Sequence, residues 1–172
     1  MWRGVIEQLK DQHRCFALDH PGFGRSLAPA DFNCSLENMA RFLDQFIEEV
    51  AIPTPLDLVV ADCGATYGLS WAVTYPQKVR RIAIVGGSNF SSRYRWHGAA
   101  RLLRIPLFGE VAMATVTFPS QEKMMRRIAP LVSPEYADQF GSAHVEHFPQ
   151  NGHWLAVESS EIVAQRLTTF FA

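Results

Sequence analysis

Apolar positions along this chain follow two alternating rhythms. In "SLENMARFLDQFIEEVAI" (Ser35 to Ile52), Leu36, Met39, Phe42, Leu43, Phe46, Ile47 and Val50 recur at the roughly 3.6-residue period of a helix. Ser35 stands where an N-cap belongs, so the spacing predicts an amphipathic helix. "LDLVVA" (Leu56 to Ala61) and "RIAIVGG" (Arg81 to Gly87) are nearly continuous apolar runs, as strands covered on both faces should be. "RCFALD" (Arg14 to Asp19) and "HVEHF" (His144 to Phe148) read as shorter strands, the first stopped by the turn "HPGFG". A helix is predicted from Gly68 to Tyr75. A capped one, "SSEIVAQRLTTFF", ends the sequence with Ile162, Val163, Leu167, Phe170 and Phe171 facing inward.

Strands alternating with helices argue for an α/β fold with a mainly parallel sheet flanked by helices. Residues 88–134 break the alternation and read as a short, mainly helical cap inserted between core segments 1–87 and 135–172. Composition narrows the function classes. With 172 residues, 48% of them apolar, there is enough to fill one core. Sixteen basic against seventeen acidic residues give no electrostatic reason to expect nucleic acid. Three cysteines (Cys15, Cys34, Cys63) do not make a disulfide framework, no signal peptide opens the chain, and no apolar run nears the ~18 residues of a membrane span. A cytoplasmic protein without membrane or nucleic-acid partners is expected. With no phosphate-cradling glycine loop and no metal-ligand cluster, no cofactor or metal is expected either.

The chemistry gathers in "LVVADCGATYGLSWAVTYP" (Leu58 to Pro76), where a strand runs through a small-residue turn into a helix. That is the geometry of a nucleophile elbow, which needs small residues two positions before and after the nucleophile. Asp62 has Val60 and Gly64 there; Cys63 has Ala61 and Ala65. Sterics leave both open, and Asp62 has a third use as a cap of the following helix.

"DHPGFGRS" (Asp19 to Ser26), "VVADCGATYGLSWAVTYPQKVRRIAIV" (Val59 to Val85) and "FPQNGHWLAVESSEIVAQRLTTFF" (Phe148 to Phe171) together resemble the α/β-hydrolase family, in particular haloalkane dehalogenases and epoxide hydrolases. "LLRIPLFGE" (Leu102 to Glu110) is similar to the start of their cap. The resemblance implies Asp62 as nucleophile, forming an alkyl-enzyme ester with a small apolar substrate. It implies the backbone N–H of Cys63 as oxyanion donor and His153, in "NGHW", as the base for the releasing water. His20, His97, His144 and His147 are left as structural or surface residues.

The chain departs from that family in four respects. "MWRGVIEQL" resembles the helix after the family's first strands, so the His-Gly oxyanion segment and one interior strand are expected to be missing. "RCFALD" and "LDLVVA" should then pair directly or leave a gap. Cys63 stands where dehalogenases hold the halide with a tryptophan. The places of the triad acid carry Gly86, Gly87 and Ala129; Glu110, Glu135 and Asp138 are substitutes without motif support. The cap is short, and Tyr94 and Tyr136 are its unplaced candidate donors. The expected function is therefore a hydrolase weakened by these losses. The alternatives are a non-catalytic remnant or gene-model fragment, and an esterase-like enzyme using the Cys63 thiol.

Overall fold

The computed structural model describes residues 1–86, 101–102, 104–115, 144, 146, 148, 150–151 and 154–172. Its helices are α1 (Arg3–Leu9), α2 (Leu36–Glu49), α3 (Asp62–Thr74), α4 (Phe108–Thr115), the single turn α5 (Leu155–Glu158) and α6 (Ser160–Phe171). The strands are β1 (Leu56–Val60) and β2 (Val79–Ile84). A 3₁₀ turn at Pro76–Lys78 carries the chain from α3 into β2.

β1 and β2 pair in parallel, with Leu58 opposite Ile82 and Val60 opposite Ile84, and a register irregularity between Leu56 and Asp57. The bond from Val85 N–H to the Val60 carbonyl (2.8 Å) extends the ladder to the point where β1 ends. A parallel pair needs a crossover, and α3 supplies it.

Side chains along β1 alternate between two apolar layers. Val59, Ala61 and Ala83 meet a cluster built on Val5, Leu9, Val163 and Leu167 of α1 and α6. Leu56, Leu58 and Ile82 meet the opposite cluster of Ala40, Ile47, Trp71 and Ala72 on α2 and α3. Helices therefore lie on both faces, which accounts for strands without a polar alternation. The α/β class expected from the sequence is observed.

Local chemistry sets the element ends. Ser35 caps α2, its Oγ accepting from the Asn38 N–H at 3.3 Å, while the Asn33 side chain accepts from the Ser35 N–H at 2.8 Å. At the far end of this helix Asp44 accepts from the indole N–H of the fully buried Trp71 (3.2 Å) and from Lys78 Nζ (2.7 Å). Lys78 also reaches Glu48 at 3.0 Å, so one cation ties α2 to the start of β2.

On the other edge, Asp57 of β1 bonds both Arg80 and Arg81 of β2. Arg81 then donates to the carbonyls of Phe170 (2.8 Å) and Phe171 (2.7 Å), satisfying acceptors that the end of α6 leaves without intrahelical partners. Its guanidinium also lies 5.3 Å from the centre of the Phe171 ring.

Five expectations need correction. Arg14–Asp19 is not a strand. Its apolar residues favour one, but a strand needs a neighbour to bond its backbone, and no described strand lies beside it. The gap, rather than direct pairing with β1, is what the structure shows. His144, Glu146 and Phe148 are likewise outside any ladder, while Val145 and His147 lie outside the described residues. In α6, Val163, Ala164 and Leu167 face inward as the period requires, but Ile162 and Phe170 are exposed. Docking against α1 selects a narrower stripe than the apolar residues could fill. Ser159 sits at the N-cap of α6 without capping it, its Oγ accepting instead from Asn151 Nδ2 at 2.5 Å. The helix expected from Gly68 begins earlier, at Asp62.

Replacing Asp44 with Ala leaves the buried Trp71 N–H without its acceptor, so stability should fall by about 1–3 kcal/mol in urea unfolding followed by tryptophan fluorescence. A second expectation concerns acid. Burial opposes ionisation of Asp57, but hydrogen bonds from Arg80 and Arg81, reinforced by their charges, outweigh it and hold the carboxyl below its ordinary value. The stabilisation is complete above the unfolded-state pKa of about 3.9 and is lost as pH falls through the lower folded value. Asp57→Asn should flatten the acid limb of a stability–pH curve measured between pH 2 and about 5; an unchanged limb would refute the assignment.

Candidate active site

The turn between β1 and α3 is where the backbone is most unusual. Ala61 continues the extended strand (φ −149°, ψ 151°). Asp62 then takes φ +49°, in the left-handed region, and the chain enters the helix, with Ala65 N–H bonding the Ala61 carbonyl at 3.0 Å. For a residue with a Cβ this conformation costs about 1–2 kcal/mol. Cys63, the other candidate, is not among the positive-φ residues. The strain falls on Asp62 alone of the two.

A close helix–strand approach maintains this turn. A Cβ built on Gly68 would lie 2.5 Å from Cγ1 of Val60, a β-branched side chain that is itself buried. Only a glycine lets α3 settle so near the end of β1. Ala65, one turn earlier, is fully buried.

Cys63 is exposed, with its Sγ 3.8 Å from Asp62 Oδ1. Desolvation, then the negative charge of Asp62 and the hydrogen bond to it, push the thiol above its ordinary pKa. Because the residue is exposed, the Asp62 contribution is the firmer of these causes. A nucleophilic thiol needs the opposite environment, a cation or a base that favours thiolate.

The loop after Arg14–Asp19 folds back onto this turn. Asp19 accepts from the Arg25 N–H (3.1 Å), and Phe23 and Gly22 N–H groups bond the His20 and Ser26 carbonyls at 2.8 and 3.0 Å. Gly22 (φ +82°) and Gly24 (φ +55°) allow the tight course. The loop presents His20 to α3. Its ring packs edge-on against Tyr67, centroids 5.1 Å apart, and its Nε2 lies 3.6 Å from where a Gly64 Cβ would be. Of the two readings left to His20, surface or structural, this half-buried packing fits the structural one. Its position between an apolar run and a Pro-Gly turn was the signal available.

Asp62 and Cys63 are thus adjacent at the turn. His153 lies outside the described residues, as do Gly87, Tyr94, Ala129, Glu135, Tyr136 and Asp138 and the side chain of Glu110. Trp154, the next residue, is the N-cap of α5. After β2, Gly86 stands at φ +77°, a conformation that would strain any side-chain-bearing residue. Among the described residues no group of three His, Cys, Asp or Glu side chains is arranged to hold a metal ion, and no helix is long and apolar enough to cross a membrane.

A family profile described as the alpha/beta hydrolase fold matches residues 1–104. The chain belongs to the alpha/beta hydrolase fold family. A haloalkane dehalogenase of Agrobacterium fabrum is 35% identical over 83 residues, which are 48% of this chain and 27% of that protein. A cis-3-alkyl-4-alkyloxetan-2-one decarboxylase of Xanthomonas campestris is 30% identical over 97 residues, 52% of this chain and 32% of its own length. Haloalkane dehalogenase 2 of Mycobacterium tuberculosis is 26% identical over 161 residues, 92% of this chain and 50% of that enzyme. The chain spans half or less of the length of these curated relatives.

Gly68→Ala should lower stability despite the better helix propensity of alanine, which is worth about 1 kcal/mol, because overpacking costs ~1–3 kcal/mol. Combining it with Val60→Ala removes the clashing methyl. The double variant should then be less destabilised than the sum of the two singles, a coupling readable by denaturant titration of all four proteins.

Proposed function

We propose that this α/β-hydrolase chain carries a hydrolytic site in which Asp62 is the nucleophile, His153 the general base and the Cys63 backbone N–H an oxyanion donor. The observation that carries the reading is the left-handed φ of Asp62 at the junction of β1 and α3. A strained nucleophile elbow at that junction presents its side chain clear of both elements. Relatives named as haloalkane dehalogenases and as hydrolases support the reaction class.

The chemistry runs in two steps. The Asp62 carboxylate attacks an electrophilic carbon of a small apolar substrate, displacing a halide or opening an epoxide, and an alkyl ester forms. His153 then takes a proton from water, and the resulting hydroxide adds to the ester carbonyl. The oxyanion is met by the Cys63 N–H at the positive end of α3. Collapse expels the alkoxide, which takes the proton of the newly formed Asp62 acid and leaves as an alcohol, returning the carboxylate, while His153 gives its proton to solvent. The Cys63 side chain has no part in this. As a halide donor a thiol is far weaker than an indole N–H, which favours substrates whose leaving group needs little support. The rival in which the Cys63 thiolate attacks runs against the negative charge of Asp62 beside it.

The test is mass spectrometry of the intact protein after exposure to a 1-bromoalkane or a terminal epoxide. An alkyl adduct should map to the peptide containing Asp62 and be absent in Asp62→Asn. It should accumulate in His153→Ala, where release slows by about 10²–10⁴-fold. An adduct on Cys63, or turnover that survives Asp62→Asn, would overturn the assignment.

A further inference from the structure

His20 carries an inference beyond these roles. It is half-buried, yet its Nδ1 is fully sequestered and has no hydrogen-bond partner among the described residues. Buried polar atoms are rarely left so, and an orphaned N–H is rarer than an orphaned acceptor. The uncharged lone pair therefore sits on Nδ1 and the proton on Nε2, the nitrogen beside Gly64. The edge contact with Tyr67 fixes the ring plane one helical turn further along α3. A ring held at Gly64 and Tyr67 braces the first turn of the helix that begins at Asp62.

We propose that His20 is a positioning residue for Asp62: in its neutral, Nε2-protonated form it clamps the first turn of α3, and adding a proton at Nδ1 releases the clamp. This rests on the reading of Asp62 as nucleophile only for its consequence in catalysis; the coupling between His20 and the turn stands on the packing alone. The reason for the release is that the second proton has nowhere to go. It would place a charged N–H in a sequestered position without an acceptor among the described residues, a state that proteins avoid by giving up the proton or the packing.

The charged and titratable groups around the ring do not offset this. Asp19, next in sequence, favours the cation, but its carboxylate is already engaged by the Arg25 N–H inside the loop. On α3, Tyr67 faces the ring; its own desolvation, then Cys63 and, from the segment before α2, Cys34, push the phenol up. Tyr67 and Cys63 are both pushed up, toward their neutral forms. Burial accordingly wins over Asp19 and holds the imidazole below its ordinary pKa. Above pH ~6.5 folded and unfolded chains both carry a neutral ring. Below it the unfolded chain takes up a proton that the folded ring resists, so the clamp weakens with acid.

The experiment is an NMR titration of the full chain between pH 4.5 and 8, following the His20 ring and the amides of Cys63, Gly64 and Tyr67. In the wild type these amides should shift in one transition together with the ring. In His20→Leu the transition should vanish while the remaining spectrum shows an intact fold. His20→Gln, which keeps an N–H near the Nε2 position without titrating, should restore the wild-type amide positions at neutral pH. Amides that still titrate in His20→Leu, or a ring that titrates without moving Gly64, would overturn the proposal. If His20→Leu does not fold, His20→Gln alone decides by the same loss of the transition. A parallel arm measures adduct formation with a 1-bromoalkane, which needs no base. Its rate should fall about tenfold per pH unit below the His20 transition in the wild type and stay level in His20→Gln. Absence of any adduct at any pH would strike only the nucleophile reading, and the amide titration would still decide His20.

Discussion

The whole arrangement depends on how closely α3 lies against the end of β1. The missing side chain of Gly68 leaves room for the Val60 methyl, and that single contact sets the distance between helix and strand. At the junction between them Asp62 holds a left-handed conformation. The same approach brings Trp71 down onto the sheet, where Asp44 and Lys78 close the corner between α2, α3 and β2.

Polar interactions divide the labour by location. On the α2 side, Asp44 receives both a neutral indole donor and a cation, so a half-buried carboxylate is satisfied from two elements at once. On the α6 side, Asp57 gathers two arginines, and one of them passes the connection on to the last helical carbonyls. Neither network touches the turn at Asp62. They anchor the two helical layers, and the apolar strands between them need no specific chemistry beyond their fit.

Much of this was legible in the residues. The α2 period, with Ser35 ahead of it, reports a helix whose buried face and cap are both local properties. The runs at Leu56 and Arg81 read as covered strands because both faces are apolar, and "DCGATYGL" marked the turn by its small residues. What escaped depends on contacts made at a distance. An apolar run such as Arg14–Asp19 becomes a strand only if a neighbour bonds it. Whether Ile162 or Phe170 is inside depends on how α6 docks on α1, and sequence period cannot choose among several apolar stripes. Sterics left both candidate nucleophiles open, and of the two only Asp62 has a left-handed φ, which depends on how the turn is packed. His20 took its meaning from Gly64 and Tyr67, far along the chain. The partner expected for Asp62, His153, lies outside the described residues.

The left-handed backbone at position 62 has one more consequence, for how variants there should be interpreted. Asparagine and aspartate are among the few residues with side chains that visit this region readily, since their short polar groups can bond locally. Exchanging one for the other alters the charge while leaving the backbone as comfortable as before. Alanine or leucine would add conformational strain to the loss of the carboxylate, and glycine would relax the turn. Asparagine is therefore the substitution at this position that separates what the side chain does from what the fold requires.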